Sequence, residues 1–382
     1  VLKNKYLAMR KIQRVDLQSQ YLKIKTEVDN EIQKVISEAS FINGSAVNEF
    51  QKNLENYLGV KHVIPCANGT DALQIAIMVL NLQPGDEVIT SPFTFIATAE
   101  VIALLKLKPV FVDVEWDSFN LDVSKIEAAI TTKTKAIVPV HLFGQCVDME
   151  TLMQIANKHN LSVIEDNAQA IGADSTFANG DKKKAGTIGH IGCTSFFPSK
   201  NLGGYGDGGA IFTNDDAIAE QIRVIVNHGM KVRYYHDVIG VNSRLDSIQA
   251  AILNVKLKQL DDYISLRQDA AADYTQAFWE HPNLETPCIS DYTEHVFHQY
   301  TLKTKGINRD ELHTYLLQKG IPNAIYYPVP LHLQKAFEGY GFMKGDFPVS
   351  EALCESVISL PMHTELDEEQ LEYICEWVLG FF

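Results

Sequence analysis

The sequence predicts an α/β protein, a mostly parallel seven-stranded sheet flanked by helices and followed by a smaller α/β C-terminal domain. Three observations carry this prediction. Short β-branched runs alternate with helical patterns from residue 60 to residue 215, and parallel strands need such crossovers. The chain has 382 residues, more than one compact core holds, since cores stop growing near about 250–300 residues. The composition, 46% apolar and 21% charged with 13 Pro and 23 Gly, is that of an ordinary globular chain. It excludes a disordered, collagen-like or disulfide-scaffold protein.

In chain order, Val47, Phe50, Leu54 and Leu58 recur at helical spacing, and Gly59 stops that helix. Strands are expected at 62–66, 87–90, 110–113, 136–140, 162–165, 193–197 and 210–213. Amphipathic helices are expected between them at 70–80, 94–105, 123–130 and 149–159. From 247 to 279 a helical pattern runs without Gly or Pro, which predicts one long helix bridging two domains. The boundary is placed within it, giving a large domain over 9–255 and a small one over 256–382. In the small domain, Asn308 with Glu311 and Asp367 with Gln370 are capping-box-like helix starts. Residues 1–8 add no recognisable element, and Met9 stands as an alternative start.

Charge narrows the function classes. With 48 acidic against 33 basic residues the formal charge is −15, a field that repels nucleic acids and anionic membranes. Lys182-Lys183-Lys184 is the one basic run and reads as a solvated loop. Apolar stretches such as 75–80 and 101–105 are too short to span a membrane, which needs roughly 18 residues. No secretory signal is recognised. The six cysteines form no CxxC pair, so reduced thiols, a cytoplasmic location and no metal site are expected.

In α/β sheets ligands sit at the carboxyl ends of the strands. The segment 194–210 holds a formal GxGxxG match, Gly204, Gly206 and Gly209. A dinucleotide fingerprint must open a helix, whereas a β run follows here, so that reading is set aside. Lys200 heads the glycine loop, and a buried lysine amine is the group that forms Schiff bases, although most lysines are simply solvated. Gly69-Thr70-Asp71 starts a helix after a strand, where N–H groups meet a phosphate or merely an N-cap. Asp166 ends an apolar run and suits a protonated ring nitrogen or a cap. Ser195 precedes Lys200 and can donate to the same phosphate, and Phe95 is placed to stack on a ring or to fill core. The conjunction describes a pyridoxal-phosphate pocket.

These residues also carry a resemblance. Cys66-Ala67-Asn68-Gly69-Thr70-Asp71-Ala72-Leu73, Glu165-Asp166-Asn167-Ala168-Gln169, Ser195-Phe196-Phe197-Pro198-Ser199-Lys200-Asn201-Leu202-Gly203, Gly206-Asp207-Gly208-Gly209-Ala210 and Gly240-Val241-Asn242-Ser243-Arg244-Leu245 resemble the nucleotide-sugar aminotransferases of the DegT/StrS family. The resemblance runs from Asp16 to His363. It implies a pyridoxal-phosphate-dependent transferase type I fold acting as a homodimer with the active site between subunits. It further implies Lys200 as the Schiff-base lysine, Asp166 on the pyridine nitrogen, Gln169 on the ring hydroxyl and Phe95 stacking. Gly69, Thr70 and Ser195 would hold the phosphate, completed by Asn242 from the other subunit. Asn167 departs from the family's common Ala, and Ile171 from its His or Phe.

The implied reaction moves an amino group from L-glutamate to a keto group of a nucleotide-linked hexose. The motifs look most like enzymes acting at C3 of UDP-2-acetamido-3-keto sugars or uronic acids. Amination of a dTDP-3-keto-6-deoxyhexose or a 4-keto sugar is the alternative, and a non-catalytic regulatory protein keeping the fold is the alternative of another class. Related sugar dehydratases carry His in place of the lysine, so Lys200 argues against them. Arg244, Arg233, Tyr327 and His332 are candidates for the sugar or diphosphate, each with an ordinary reading as an ion-pair or packing residue.

Overall fold

The computed structural model describes residues 9–382, and residues 1–8 lie outside the described part. Seven strands form the central sheet: β1 (His62–Cys66), β2 (Glu87–Thr90), β3 (Lys108–Phe111), β4 (Thr134–Ile137), β5 (Ser162–Asp166), β6 (Ile191–Ser195) and β7 (Gly209–Thr213). Their order is β1-β7-β6-β5-β4-β2-β3. Neighbours pair in parallel except β7, which runs antiparallel to both β1 and β6. The predicted sheet is therefore present, with β3, β4 and β6 each starting two residues before their expected positions.

Besides a single helical turn at Ile126–Ala129, where a helix over 123–130 was expected, the helices are α1 (Leu17–Ser37), α2 (Ser45–Leu58), α3 (Gly69–Met78), α4 (Ala97–Leu104), α5 (Met149–Lys158), α6 (Asp216–Ile225), α7 (Ser247–Leu257) and α8 (Leu260–Phe278). Alternation along the strands sends successive side chains to opposite faces. In β1, Val63 packs with Phe50, Leu54 and Phe212 on the side of α2 and α7. Its neighbour Ile64 packs with Ala72, Ile75 and Ile222 on the side of α3 and α6. Both faces are covered, as a parallel sheet requires. Gly59 ends α2 in the left-handed region at φ 69°.

Two expectations need correction, and one helix was not expected. The single helix over 247–279 is broken at Lys258–Gln259 into α7 and α8. No helix-breaking residue marks this point; packing turns the chain, because Leu253, Leu257, Leu260 and Ile264 all enter the core beneath α2. The first helix α1 carried no expectation at all. It is capped by Asp16, whose carboxylate accepts from the Ser19 N–H at 3.0 Å, and it lays Ile24 and Val28 on Ile252 and Val255. Lys182–Lys184 is a strand, not a loop. It pairs with Asp174–Thr176, and its charges are met by Glu294 at 2.8 Å and Asp174 at 3.0 Å.

Beyond α8 the chain builds a three-stranded antiparallel sheet, β8 (Leu284–Glu285), β9 (Tyr300–Thr304) and β10 (Val357–Leu360), with α9 (Arg309–Gln318), α10 (Pro348–Ser356) and α11 (Glu368–Leu379). The Asp367–Gln370 capping box that opens α11 is formed in full. At the start of α9, Asn308 accepts from Asp310 N–H, while the Glu311 carboxylate accepts from the Asn308 side chain. Within α8 the packing changes company: Ile264 belongs to the large core, whereas Ala270, Tyr274 and Phe278 join Tyr300, Leu312 and Ile374. Along α8 the packing thus passes from the core of the large unit to that of the small one. The units also share side chains, since Phe93, Phe119 and Phe143 pack with Leu353, Cys354 and Val357. Phe143 of this shared wall also lines a cavity at the strand ends.

Candidate active site

The carboxyl ends of β5 and β6, the start of α3 and the loop before β9 enclose a cavity of about 640 Å³. Eight residues singled out from the sequence line it: Gly69, Thr70, Phe95, Asp166, Gln169, Ser195, Lys200 and Tyr327. They come from five separate stretches of chain, and the sheet's topology brings them together.

Asp166 ends β5 and is 5% exposed. Its Oδ2 accepts from the Thr98 hydroxyl at 2.8 Å and its Oδ1 from the Ala168 N–H at 3.2 Å. Burial pushes its carboxyl above the usual range, while these two hydrogen bonds and the charge of Lys200 pull the other way. Lys200 stands in the turn after β6, its N–H bonded to Phe197 C=O at 2.8 Å. Burial pushes its amine down to about 8, with Asp166 opposing. Opposite charges favour each other's charged forms, yet the pair moves toward neutrality, so desolvation outweighs the attraction at both groups. A cationic nitrogen hydrogen-bonded to Asp166 would reverse that balance for the carboxylate.

Across the cavity the first turn of α3 opens at Gly69. Asn68 caps it, accepting the Asp71 N–H at 2.8 Å. The N–H groups of Gly69 and Thr70 precede any intrahelical acceptor and face the positive end of the helix. A Cβ on Gly69 would lie 2.7 Å from the Ser195 Cβ, so the bare glycine lets Ser195 approach the helix start. Two readings thus coexist: Asn68 is the cap, and the remaining donors are free for an anion. A Cβ on Gly203 would meet the Pro198 carbonyl oxygen at 2.3 Å, which explains a glycine closing the Lys200 turn. The other glycines of that loop lead into β7 and open no helix.

Gln169 bridges the two units. Its Oε1 accepts from the Phe143 N–H at 2.8 Å and its side-chain amide donates to the Tyr327 hydroxyl at 3.3 Å. Phe95 is 56% exposed at the cavity wall, leaving one face of its ring available to a flat ligand. The other four candidates lie elsewhere. His332 is buried and its Nε2 pairs with the Glu351 carboxylate at 3.0 Å, a link that ties the segment after Tyr327 to α10. Arg233 lies on an exposed hairpin with its guanidinium 5.0 Å from the Tyr234 ring centroid. Asn242 is exposed and Arg244 half-buried; neither lines this chain's cavity.

Sequence reading also missed residues that the cavity contains. Thr98 stands 68 positions before its partner Asp166, and a threonine in a helical pattern gives no local signal of such a contact. Phe197, His298 and Gln299 likewise line the cavity. The signal available for His298 was a polar residue interrupting the apolar run into β9. Replacing Thr98 by Val is expected to leave the fold intact but weaken cofactor retention about tenfold, the worth of one charge-assisted hydrogen bond. Equilibrium dialysis against pyridoxal phosphate measures this, and unchanged retention would show that Thr98 does not orient Asp166.

A family model described as the DegT/DnrJ/EryC1/StrS aminotransferase family matches residues 22–379. The chain belongs to this family. It is 48% identical over 370 residues, 96% of this chain and 98% of the other, to a pleiotropic regulatory protein of Geobacillus stearothermophilus. It is 46% identical over 364 residues, 95% of this chain and 98% of the other, to the UDP-2-acetamido-2-deoxy-3-oxo-D-glucuronate aminotransferase of Pseudomonas aeruginosa. The solved structure of NtdA from Bacillus subtilis, with bound cofactor PMP, matches with a TM-score of 0.87 at 31% identity, covering 98% of this chain and 87% of NtdA. The predicted fold and family are thus borne out. For a DegT/DnrJ/EryC1/StrS aminotransferase the donor set fits pyridoxal phosphate: free helix N–H groups for the phosphate, a buried carboxylate for the ring nitrogen, a depressed lysine amine for the aldehyde.

Proposed function

We propose that this protein is a pyridoxal-phosphate-dependent aminotransferase that moves an amino group from L-glutamate to C3 of a UDP-linked 2-acetamido-3-keto sugar or uronic acid. The observation that carries the reading is Lys200, its amine lowered to about 8, in one cavity with Asp166 and the open start of α3. The 46% identical relative is named for this chemistry on a 3-oxo-glucuronate.

In this reading Gly69, Thr70 and Ser195 hold the cofactor phosphate, Asp166 its ring nitrogen, and Phe95 covers one ring face. Gln169 meets the ring hydroxyl. Bound there, the group supplies an electron sink for the carbon–hydrogen bond broken beside the amine. Lys200 Nζ, once free, takes that proton from one carbon and returns it to the other. Thr98 and Ala168 keep Asp166 facing the ring, and a protonated ring nitrogen there would hold the carboxylate anionic. Tyr327, joined to Gln169, brings the small unit against the sugar side, and Arg244, outside this chain's cavity, would meet a uronate carboxylate in the site of a second copy.

The reading includes a homodimer. The hairpin after α6, Met230–Val232 with Tyr235–His236, exposes Tyr234, Tyr235 and Ile239 at 75%, 71% and 88%. So many apolar groups on one projecting element fit a buried surface between copies. Asn242, beside the hairpin root, would reach the phosphate of the partner's site. Arg233, on the same hairpin, would act on the partner's substrate. The double variant Y235D/I239D is expected to elute as a monomer in light-scattering chromatography and to lose cofactor. A monomeric wild type would contradict this part. Six unpaired cysteines support a reducing, cytoplasmic setting. Among the described residues no helix is long and apolar enough to cross a membrane.

One observation favours a second reading: the 48% identical relative is named a regulatory protein. The two readings separate on the purified protein. A transaminase loaded with pyridoxal phosphate shows a visible absorbance band that L-glutamate bleaches, and it converts members of a panel of 3-keto and 4-keto nucleotide sugars. A regulator leaves both glutamate and sugars untouched.

A further inference from the structure

The cavity wall also carries a buried histidine. His298 is 6% exposed, and its Nδ1 is enclosed without a hydrogen-bond partner. Its Nε2 has only a 3.4 Å contact with the side-chain amide of the adjacent Gln299. An aromatic hydrocarbon would fill this volume without burying unpaired nitrogen. The position is held firmly. Val296 N–H donates to Gly144 C=O at 2.9 Å and Gln299 N–H to Phe143 C=O at 3.3 Å. Asn201, the residue after Lys200, donates to Val296 C=O at 2.9 Å, and Arg267 donates to Phe297 C=O at 3.1 Å. The segment carrying His298 is thereby locked to the turn carrying Lys200, as a preorganised site requires.

The chemistry of this imidazole is constrained. Burial, with the charges of Lys200 and Arg267 adding, holds it well below its ordinary value, so the ring is neutral. A neutral imidazole donates from one nitrogen only. With Nδ1 enclosed, placing the proton on Nε2 avoids burying an unpaired N–H. Such a donor does not neutralise the carboxylates of an amino-acid substrate; it suits an uncharged oxygen.

We propose that His298 is a further substrate-contacting residue of this site, a neutral hydrogen-bond donor from Nε2 to the oxygen on the reacting carbon of the acceptor sugar. This rests on the reading of the cavity as a keto-sugar transaminase site. Its role differs from that of Lys200: it holds the acceptor oxygen and moves no proton between carbons.

The test uses cofactor-loaded wild type, H298A and H298Q, the last keeping an amide donor near the Nε2 position. Calorimetry measures binding of UDP and of UDP-N-acetylglucosamine, which carries a hydroxyl at C3 where the acceptor carries the keto group. In H298A, UDP is expected to bind within twofold of wild type and UDP-N-acetylglucosamine about tenfold more weakly. H298Q recovers most of that difference. Unchanged sugar-nucleotide affinity in H298A, or equal weakening of both ligands, would overturn the proposal. A wild type whose band glutamate does not bleach counts instead against the transaminase reading itself.

Discussion

Lys200→Ala lowers amino transfer by at least about a thousandfold while leaving the protein folded, because it removes the anchoring amine and the group that moves the proton. The cavity face of the residue is lined, not packed, so truncation leaves little void, and the thermal midpoint of the cofactor-free protein stays within a few degrees. Borohydride reduction of wild type with pyridoxal phosphate, then peptide mass spectrometry, places the label on Lys200. Labelling rises with pH through about 8, the value to which burial lowers this amine, since a lysine reacts as free base. An unperturbed lysine would keep rising toward about 10.4. Lys256, also lowered by burial, to about 7, is the internal control: it is 1% exposed and outside the cavity, and it stays unlabelled. Normal transfer by Lys200→Ala would remove the residue from the mechanism.

Asp166→Ala produces the second largest effect, about a hundredfold loss of turnover with weaker cofactor retention, in the range for removing a preorganised electrostatic partner. A carboxylate beside the ring nitrogen raises that nitrogen's pKa and keeps it protonated, so that it withdraws electrons from the reacting carbon. Burial alone pushes the Asp166 carboxyl up, and contact with the ring cation pulls it back down. Because binding lowers this pKa, the carboxylate's contribution to cofactor binding is fully present above its cofactor-free value and is lost as the pH falls through the bound value. In Asp166→Ala the retained affinity should therefore lose its acid limb. Dialysis of both proteins across acid pH measures this, and identical curves would deny Asp166 the role.

Much of the site was legible because strand ends and helix starts announce themselves locally. Gly69-Thr70 follows an apolar strand, Asp166 ends one, and Lys200 stands between two. These are short-range signals, and each residue lines the cavity. The pairing of His332 with Glu351, 19 positions onward, was not legible, because only the folded small unit brings the two together. Thr98 escaped notice for the same reason at longer range. The break between α7 and α8 was invisible because Leu257-Lys258-Gln259-Leu260 contains no breaker and tertiary packing decides it. Asn242 and Arg233 belong to a different class: their expected partners lie on a second copy of the chain, and no pattern within one sequence displays that contact.

In the proposed reaction nitrogen passes from glutamate to a nucleotide sugar at this cavity. The most direct measurement incubates the cofactor-loaded protein with nitrogen-15 L-glutamate and a UDP-2-acetamido-3-keto sugar, then analyses the sugar nucleotide by mass spectrometry and NMR. The expected result is one nitrogen-15 on C3 of the product and an equal amount of 2-oxoglutarate. A sugar nucleotide recovered without the label, from protein whose cofactor is bound at Lys200, would contradict it.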